Sequence, residues 1–317
     1  MKLALRALLV LAVAGVMAQV GAAAPARMHT VPYSGFFWTP KVGLLGVGVC
    51  ASTKYMCGTG AVELTADGGK TYQVIFRTPR PVSELRSAGL HGALARIYSN
   101  TNYSYGHTVY RTLDRGRHWT KLRMRPGISF ATPRIGLGFR VYELARLLHT
   151  RDGGRSWQRL PKAGCGSTGP ILDLVTPQLG WMACGGLPGA GQQEKEVFRT
   201  LDGGHSWRAR AWAIAGKHPR TRGGLSFMGS VSGIAFARDG FGLLWESRGT
   251  LLVTRDGGKT WKPHLHFAHP DIDWGFGASA FGNGTGLVLL RHEISSFRLI
   301  KTRDFGRTWH LVRSWRS

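Results

Sequence analysis

The sequence predicts an all-β repeat domain, six copies of one four-stranded unit, and three observations carry that prediction. The 317 residues include 45 glycines and 11 tryptophans, a composition of tight turns and large packing anchors rather than of helices. One Asp-centred motif recurs six times along the chain. Its copies are separated by 47, 38, 50, 54 and 48 residues, near the roughly 40–50 residues of one four-stranded propeller blade.

The motif reads Thr-x-Asp-x-Gly-x-(Ser/Thr/His)-(Trp/Tyr). It runs Thr65–Tyr72 around Asp67, Thr112–Trp119 around Asp114, Thr150–Trp157 around Asp152, Thr200–Trp207 around Asp202, Thr254–Trp261 around Asp256 and Thr302–Trp309 around Asp304. This is hairpin chemistry. The carboxylate accepts backbone N–H bonds, the glycine two places on supplies a positive φ, and the ring packs inward. A strand-like run precedes each Asp: Ala61–Thr65, Thr108–Thr112, Arg146–Thr150, Glu196–Thr200, Thr250–Thr254 and Phe297–Thr302. Another follows each ring, as in Tyr72–Arg77 and Trp309–Arg313. These are the third and fourth strands of each unit. A Gly-apolar segment upstream, at Gly46, Gly92, Gly136, Gly180, Gly240 and Gly286, marks the second strand, with the first just before it. The ends, 40 residues before Asp67 from Arg27 and 13 after Asp304, together make one more unit's length, so the ring closes as a six-bladed β-propeller of four antiparallel strands per blade. A seventh blade would need residues the chain lacks unless the 54-residue interval hides one.

The six motifs resemble the Asp-box, or BNR-type, repeats of sialidases, sortilin luminal domains, xyloglucanases and photosystem II assembly-factor propellers, and the resemblance spans nearly all of residues 27–317. It implies that Asp67, Asp114, Asp152, Asp202, Asp256 and Asp304 are structural, in a turn between the two outer strands and away from any ligand site. Such a resemblance speaks to fold and not to reaction.

Residues 1–26 read as a secretory signal: a basic start with Lys2 and Arg6, an apolar run from Ala7 to about Gly21, and small residues up to Ala26. No later stretch has the roughly 18 apolar residues of a membrane helix. The expected mature protein is residues 27–317, one propeller domain, exported to the periplasm, the cell surface or the medium, and a monomer. Removing Lys2 and Arg6 from the 42 Lys and Arg leaves 40 against 17 acids. So cationic a chain attracts anionic wall polymers, lipid headgroups or nucleic acid, although many of the charges simply rim the repeated turns. The four cysteines form two sequence-local pairs, Cys50 with Cys57 and Cys165 with Cys184, expected as disulfides in an oxidising compartment.

Candidate chemistry is sparse. Of the eleven acids outside the motifs, Glu143, Glu194, Glu196, Glu246 and Glu293 fall at second-to-third-strand turns, and Glu84, Asp271 and Asp273 in blade-to-blade loops, all on the face opposite the motifs. Glu143, Glu246 and Glu293 are therefore candidate binding residues, and Asp271 with Asp273 the candidate catalytic pair. Tyr103 and Tyr105, in the polar stretch 99–106, offer rings for stacking on a sugar or peptide. His264, His266 and His269 make the densest ligand-like cluster, but neither metal nor cofactor is expected. The Phe/Tyr-Arg-Ile-Pro motif that sialidases carry before their first box has its nearest match in Phe76-Arg77-Thr78-Pro79, which falls after it. The reading that results is a non-catalytic propeller binding or scaffolding a protein or polysaccharide. The alternatives are a sialidase-like or xyloglucanase-like glycoside hydrolase, and a cationic module for an anionic polymer or nucleic acid.

Overall fold

The computed structural model describes residues 28–51, 57–98, 107–122, 128–139, 146–161, 165, 169–247, 250–266, 275–291 and 296–316. Among them are 25 strands and no helix, arranged as a six-bladed β-propeller. Blade 1 is β1 (Met28–Phe37), β2 (Gly43–Ala51), β3 (Thr59–Thr65) and β4 (Gln73–Thr78). Blade 2 is β5 (Val82–Ser87), β6 (Ala93–Tyr98), β7 (His107–Thr112) and β8 (Thr120–Leu122). Blade 3 is β9 (Ser129–Phe130), β10 (Gly136–Phe139), β11 (Leu147–Thr150) and β12 (Gln158–Arg159). Blade 4 has β13 (Ile171–Leu174), β14 (Gly180–Gly185), β15 (Lys195–Thr200), β16 (Arg208–Ile214) and a fifth strand, β17 (Arg220–Arg222). Blade 5 is β18 (Val231–Phe236), β19 (Gly242–Glu246), β20 (Thr250–Thr254) and β21 (Lys262–His266). Blade 6 is β22 (Gly275–Ala280), β23 (Gly286–Arg291), β24 (Ser296–Thr302) and β25 (His310–Arg316).

Strands pair antiparallel in chain order within every blade. The 54-residue interval holds the added β17 with its hairpin, so the extra length widens blade 4 rather than making a seventh blade. The first strands of successive blades contact one another around the ring, which makes them the walls of a central channel.

Local chemistry sets each turn as the motif predicts. In blade 5, Thr254 Oγ1 donates to Asp256 Oδ1 at 2.8 Å and accepts from Gly258 N at 3.0 Å. Asp256 Oδ1 also accepts from Lys259 N and Thr260 N at 2.9 and 3.0 Å, and Oδ2 from Thr260 Oγ1 at 2.7 Å. Trp261 Nε1 then donates to Gly258 O at 3.1 Å. The Thr–Asp–Gly bonds repeat in the other five turns. Two consecutive residues take positive φ, not one: besides the motif glycine, the residue before it lies at φ between 60° and 81°, and there blades 2 and 6 carry Arg115 and Phe305 where the other four have glycine. The amide of that residue donates to the first-to-second-strand turn of its own blade, as Gly68 N does to Lys41 O at 2.7 Å and Gly153 N to Arg134 O at 2.8 Å. All six motif turns and all six first-to-second-strand turns thus share one face of the ring.

Seven apolar clusters of described residues fill the six wedges between blades, two of them between blades 6 and 1. Between blades 4 and 5, fully buried Trp181 stacks on Phe236 at 4.1 Å, and Phe236 meets Trp261 edge-on at 5.7 Å. Burying one such ring removes roughly 150–250 Å² from water, about 5 kcal/mol of transfer free energy. Cationic side chains stitch neighbouring turns together: Arg111 donates to Gly153 O at 2.6 Å, Arg210 to Asp256 O and Gly257 O at 3.3 Å, and Arg255 to Phe305 O at 2.9 Å. Part of the positive charge is therefore engaged as donors to backbone carbonyls of neighbouring turns.

The ring closes without a strand shared between the termini. Blade 6 meets blade 1 through Ser279 Oγ, which accepts from Phe37 N at 2.8 Å, through Lys301 on Pro40 O at 3.2 Å and through Arg313 on Lys70 O at 2.5 Å. Gly277 lies flat against Gly35 there, so close that a Cβ would collide with the Gly35 carbonyl. Both expected disulfides form. Cys50–Cys57 closes the β2–β3 loop within blade 1, whereas Cys165–Cys184 ties the crossover from blade 3 to β14 of blade 4 rather than closing a loop inside one blade.

Candidate functional site: the central channel

A polar side chain three places before the first-to-second-strand turn reaches across to the next blade in three of the six junctions. Ser129 Oγ accepts from Leu174 N at 2.9 Å, Asp173 Oδ2 from Phe236 N at 2.6 Å and Ser279 Oγ from Phe37 N at 2.8 Å. Phe36 and Ala235, both buried and apolar, and Arg86, which reaches Leu172 O, hold the same place in the other blades. A serine suffices for that bond, so the full negative charge of Asp173 is a surplus placed in the channel wall. Burial pushes its carboxyl up to about 6, against the lowering effects of the Phe236 amide and Arg86.

Facing it from blade 2 is a charged cluster. The β5–β6 register sets Glu84 opposite Arg96. Arg86 Nε donates to Glu84 Oε1 at 2.5 Å and Arg96 to Glu84 Oε2 at 2.9 Å, while Arg86 also reaches Leu172 O in blade 4 at 3.4 Å. Burial alone would raise the Glu84 carboxyl, but the two guanidiniums outweigh it and hold it down to about 2. Arg96 also approaches His107 Nδ1 at 3.5 Å, and His107 packs on Tyr98 with ring centroids 5.2 Å apart. Burial and then Arg96 lower the His107 pKa, so the imidazole is neutral at pH 7. Among the described residues Arg96 Nε has no hydrogen-bond partner. The channel encloses about 860 Å³, lined by this cluster, by Trp38 and Trp245, and by exposed Arg238 at its mouth on the turn face. Two guanidiniums, one ionised carboxylate and aromatic walls favour a ligand with acceptor oxygens and an apolar face.

Few of the residues singled out from sequence enter this site. Glu84 lies on β5 in the channel wall and not in a blade-to-blade loop, because the inner strand starts earlier than its apolar pattern suggests. Glu246 ends β19 and is buried: its Oε1 accepts from Lys195 Nζ at 2.5 Å, and Lys195 also donates to Met228 O at 2.5 Å. Its charge is spent inside the protein. Glu194 accepts from Ala215 N at 2.7 Å. The six motif Asps are engaged in their turns; in Asp67, Asp114, Asp152 and Asp304, hydrogen bonds from the residue four places on hold the carboxyl well below its usual range. His264 sits on β21 where the register slips, with no residue opposite it. Among the described residues no three His, Cys, Asp or Glu gather as a metal set. Tyr103, Tyr105, Glu143, His269, Asp271, Asp273 and Glu293 lie outside the described residues, as does the side chain of His266.

No family model matches the sequence, and no curated protein is significantly similar to it. Solved structures do resemble it in fold. The GH74 xyloglucanase from Xanthomonas campestris superposes with a TM-score of 0.53 at 16% identity, over 89% of this chain and 47% of that one, so the chain spans about half the enzyme's length. The Aleuria aurantia lectin in complex with Fucα1-6GlcNAc gives a TM-score of 0.54 at 12% identity, over 92% of this chain and 96% of the lectin. YCF48 from Cyanidioschyzon merolae aligns at 13% identity with a TM-score of 0.44, over 91% and 88% of the two chains. At such identities the likeness is one of fold: a propeller shared by a hydrolase and a lectin.

Proposed function

We propose that this chain is an exported, non-catalytic propeller that binds or scaffolds a protein or polysaccharide ligand at the mouth of its channel. One observation carries the reading: the carboxylates of the channel wall are already committed. Glu84 is clamped by two guanidiniums and stays ionised far below neutral pH, so it has no proton to donate. Asp173 accepts the Phe236 amide on one of its oxygens. A glycosidase needs an acid and a base or nucleophile free to face each other across a bound sugar, about 5–10 Å apart. Arg96, whose Nε has no hydrogen-bond partner among the described residues, and Trp245 line the wall as recognition groups. The two disulfides support an oxidising, exported setting.

The test is a glycan array and a pull-down with the chain from Arg27, followed by turnover assays on fluorogenic sialosides and xyloglucan. Binding is expected to weaken on Arg96→Gln in the channel wall and to survive Asp256→Ala in a motif turn, with no turnover of either substrate. Hydrolysis that Asp271→Asn or Asp273→Asn abolishes would overturn the non-catalytic reading.

A further inference from the structure

The turn face has a regularity of its own that a ligand in the channel does not use. The residue after the motif glycine is Lys70, Arg117, Arg155, His205, Lys259 or Arg307, basic in all six blades and exposed in all six. The residue before the Asp is Arg151, Arg255 or Arg303 in blades 3, 5 and 6, each exposed. Among the described residues the acids of this face include the motif Asps, whose oxygens already accept hydrogen bonds within their own turns, and exposed Asp239, which accepts from Phe241 N. Like charges crowd here: Lys301 has its pKa lowered by burial and then by Arg303, Lys70 and Lys41.

The same face exposes large apolar side chains at its tips. Leu113 and Leu201 hold the position before the Asp in blades 2 and 4, and Leu90 lies in the β5–β6 turn. They are 44%, 65% and 81% exposed, three of the eight large exposed hydrophobics among the described residues. Leu90 and Leu113 edge the channel mouth and Leu201 stands at its own turn tip, and a hydrated polymer gives such side chains nothing to enter.

We infer that the turn face docks on an anionic phospholipid bilayer, its basic ring over the headgroups and Leu90, Leu113 and Leu201 in the interface. Twelve equivalent turns on one face of a ring present a plane rather than a groove, which suits a surface better than a strand of polymer. Cations near an anionic leaflet and apolar residues at its boundary contribute independently, and both are present here.

The test is co-sedimentation of the chain from Arg27, which retains all six blades, with vesicles of equal phosphatidylglycerol and phosphatidylcholine, and with phosphatidylcholine alone. Binding is expected to the anionic vesicles only and to disappear in 1 M NaCl. Each basic residue near the surface contributes roughly a factor of five, so Arg155→Gln/Lys259→Gln/Arg307→Gln should weaken binding about 100-fold. Leu90→Ser/Leu201→Ser should weaken it about 10-fold or more with the salt dependence kept. Unchanged melting temperatures establish that both variants fold. Equal binding to neutral vesicles, no effect of the triple variant, no effect of the leucine pair, or tighter binding to heparin or duplex DNA than to the anionic vesicles would each overturn the inference.

Discussion

Removing the Glu246 carboxylate should destabilise this protein more than removing any exposed charge. Lys195 on β15 and Glu246 on β19 meet between blades 4 and 5 with side chains 0% and 2% exposed, their donor and acceptor 2.5 Å apart. In Glu246→Ala the ammonium keeps one acceptor, Met228 O, and loses its counter-charge in a site water does not reach. Breaking a buried pair by deleting one partner costs about 3–5 kcal/mol, whereas replacing both with apolar groups of similar volume is often near neutral. Lys195→Met/Glu246→Leu should thus lie within about 2 kcal/mol of wild type, the remaining cost being the unsatisfied Met228 carbonyl. The cycle should give a coupling above about 2 kcal/mol. pH adds an independent check. Burial depresses the Lys195 pKa and Glu246 opposes that depression, so the single variant depresses it further. Between that lowered value and the ordinary lysine range the unfolded chain then binds more protons than the native one, so the stability of Glu246→Ala should rise from pH 7 toward pH 10. Urea unfolding with unchanged m-values measures Glu246→Ala, the double variant and its single parents Lys195→Met and Glu246→Leu. A Glu246→Ala cost under about 1 kcal/mol, flat with pH, would refute the reasoning.

Asp173 gives the protein a pH signature of the opposite sense to its turn aspartates. Its folded pKa of about 6 lies above its ordinary 3.8, so between those values the native state binds more protons and stability falls as pH rises; Asp173→Asn should remove that fall in thermal unfolding from pH 4 to 7. The motif Asps and Glu84 have depressed pKa values, so their contribution is present above pH 4.5 and is lost as pH falls below it, a loss that Asp173→Asn should leave intact. Asp256→Ala should cost roughly 1–3 kcal/mol, since it strips the acceptor from Thr254, Lys259 and Thr260, while ligand binding persists; a loss of binding at unchanged melting temperature would place the residue in the site instead. Gly277→Ala should loosen the seam between blades 6 and 1, read as faster limited proteolysis and a lower melting temperature, because the added methyl collides with Gly35 backbone rather than with a movable side chain. An unchanged melting temperature would mean that closure does not depend on that close approach.

The sequence by itself determined the blade count, the third and fourth strands and the turn chemistry. All of these depend on interactions within eight or nine residues, and a Thr-x-Asp-x-Gly turn bonds itself wherever it lies. The two cysteine pairs, 7 and 19 residues apart, were legible because each cysteine's partner is its neighbour among the four along the chain. What tertiary structure decided lies between blades. The fifth strand of blade 4 answers to its neighbour β16 and carries no period of its own. That Glu84 faces Arg96 depends on the slip in register between Val82 and Glu84, which no alternation pattern announces. Lys195 and Glu246 are 51 residues apart and have no local signal, since their contact exists only once blade 5 closes on blade 4. Asp173 shows the boundary most clearly. Its place three residues before Thr176-Pro177 matches Ser129 before Thr132-Pro133, so an alignment of the repeats could have marked it as a bridging position. That its carboxyl is also held in a channel wall near Arg86, and so titrates near neutral pH, follows from how deeply the closed ring buries it, a property of six blades together and of none alone.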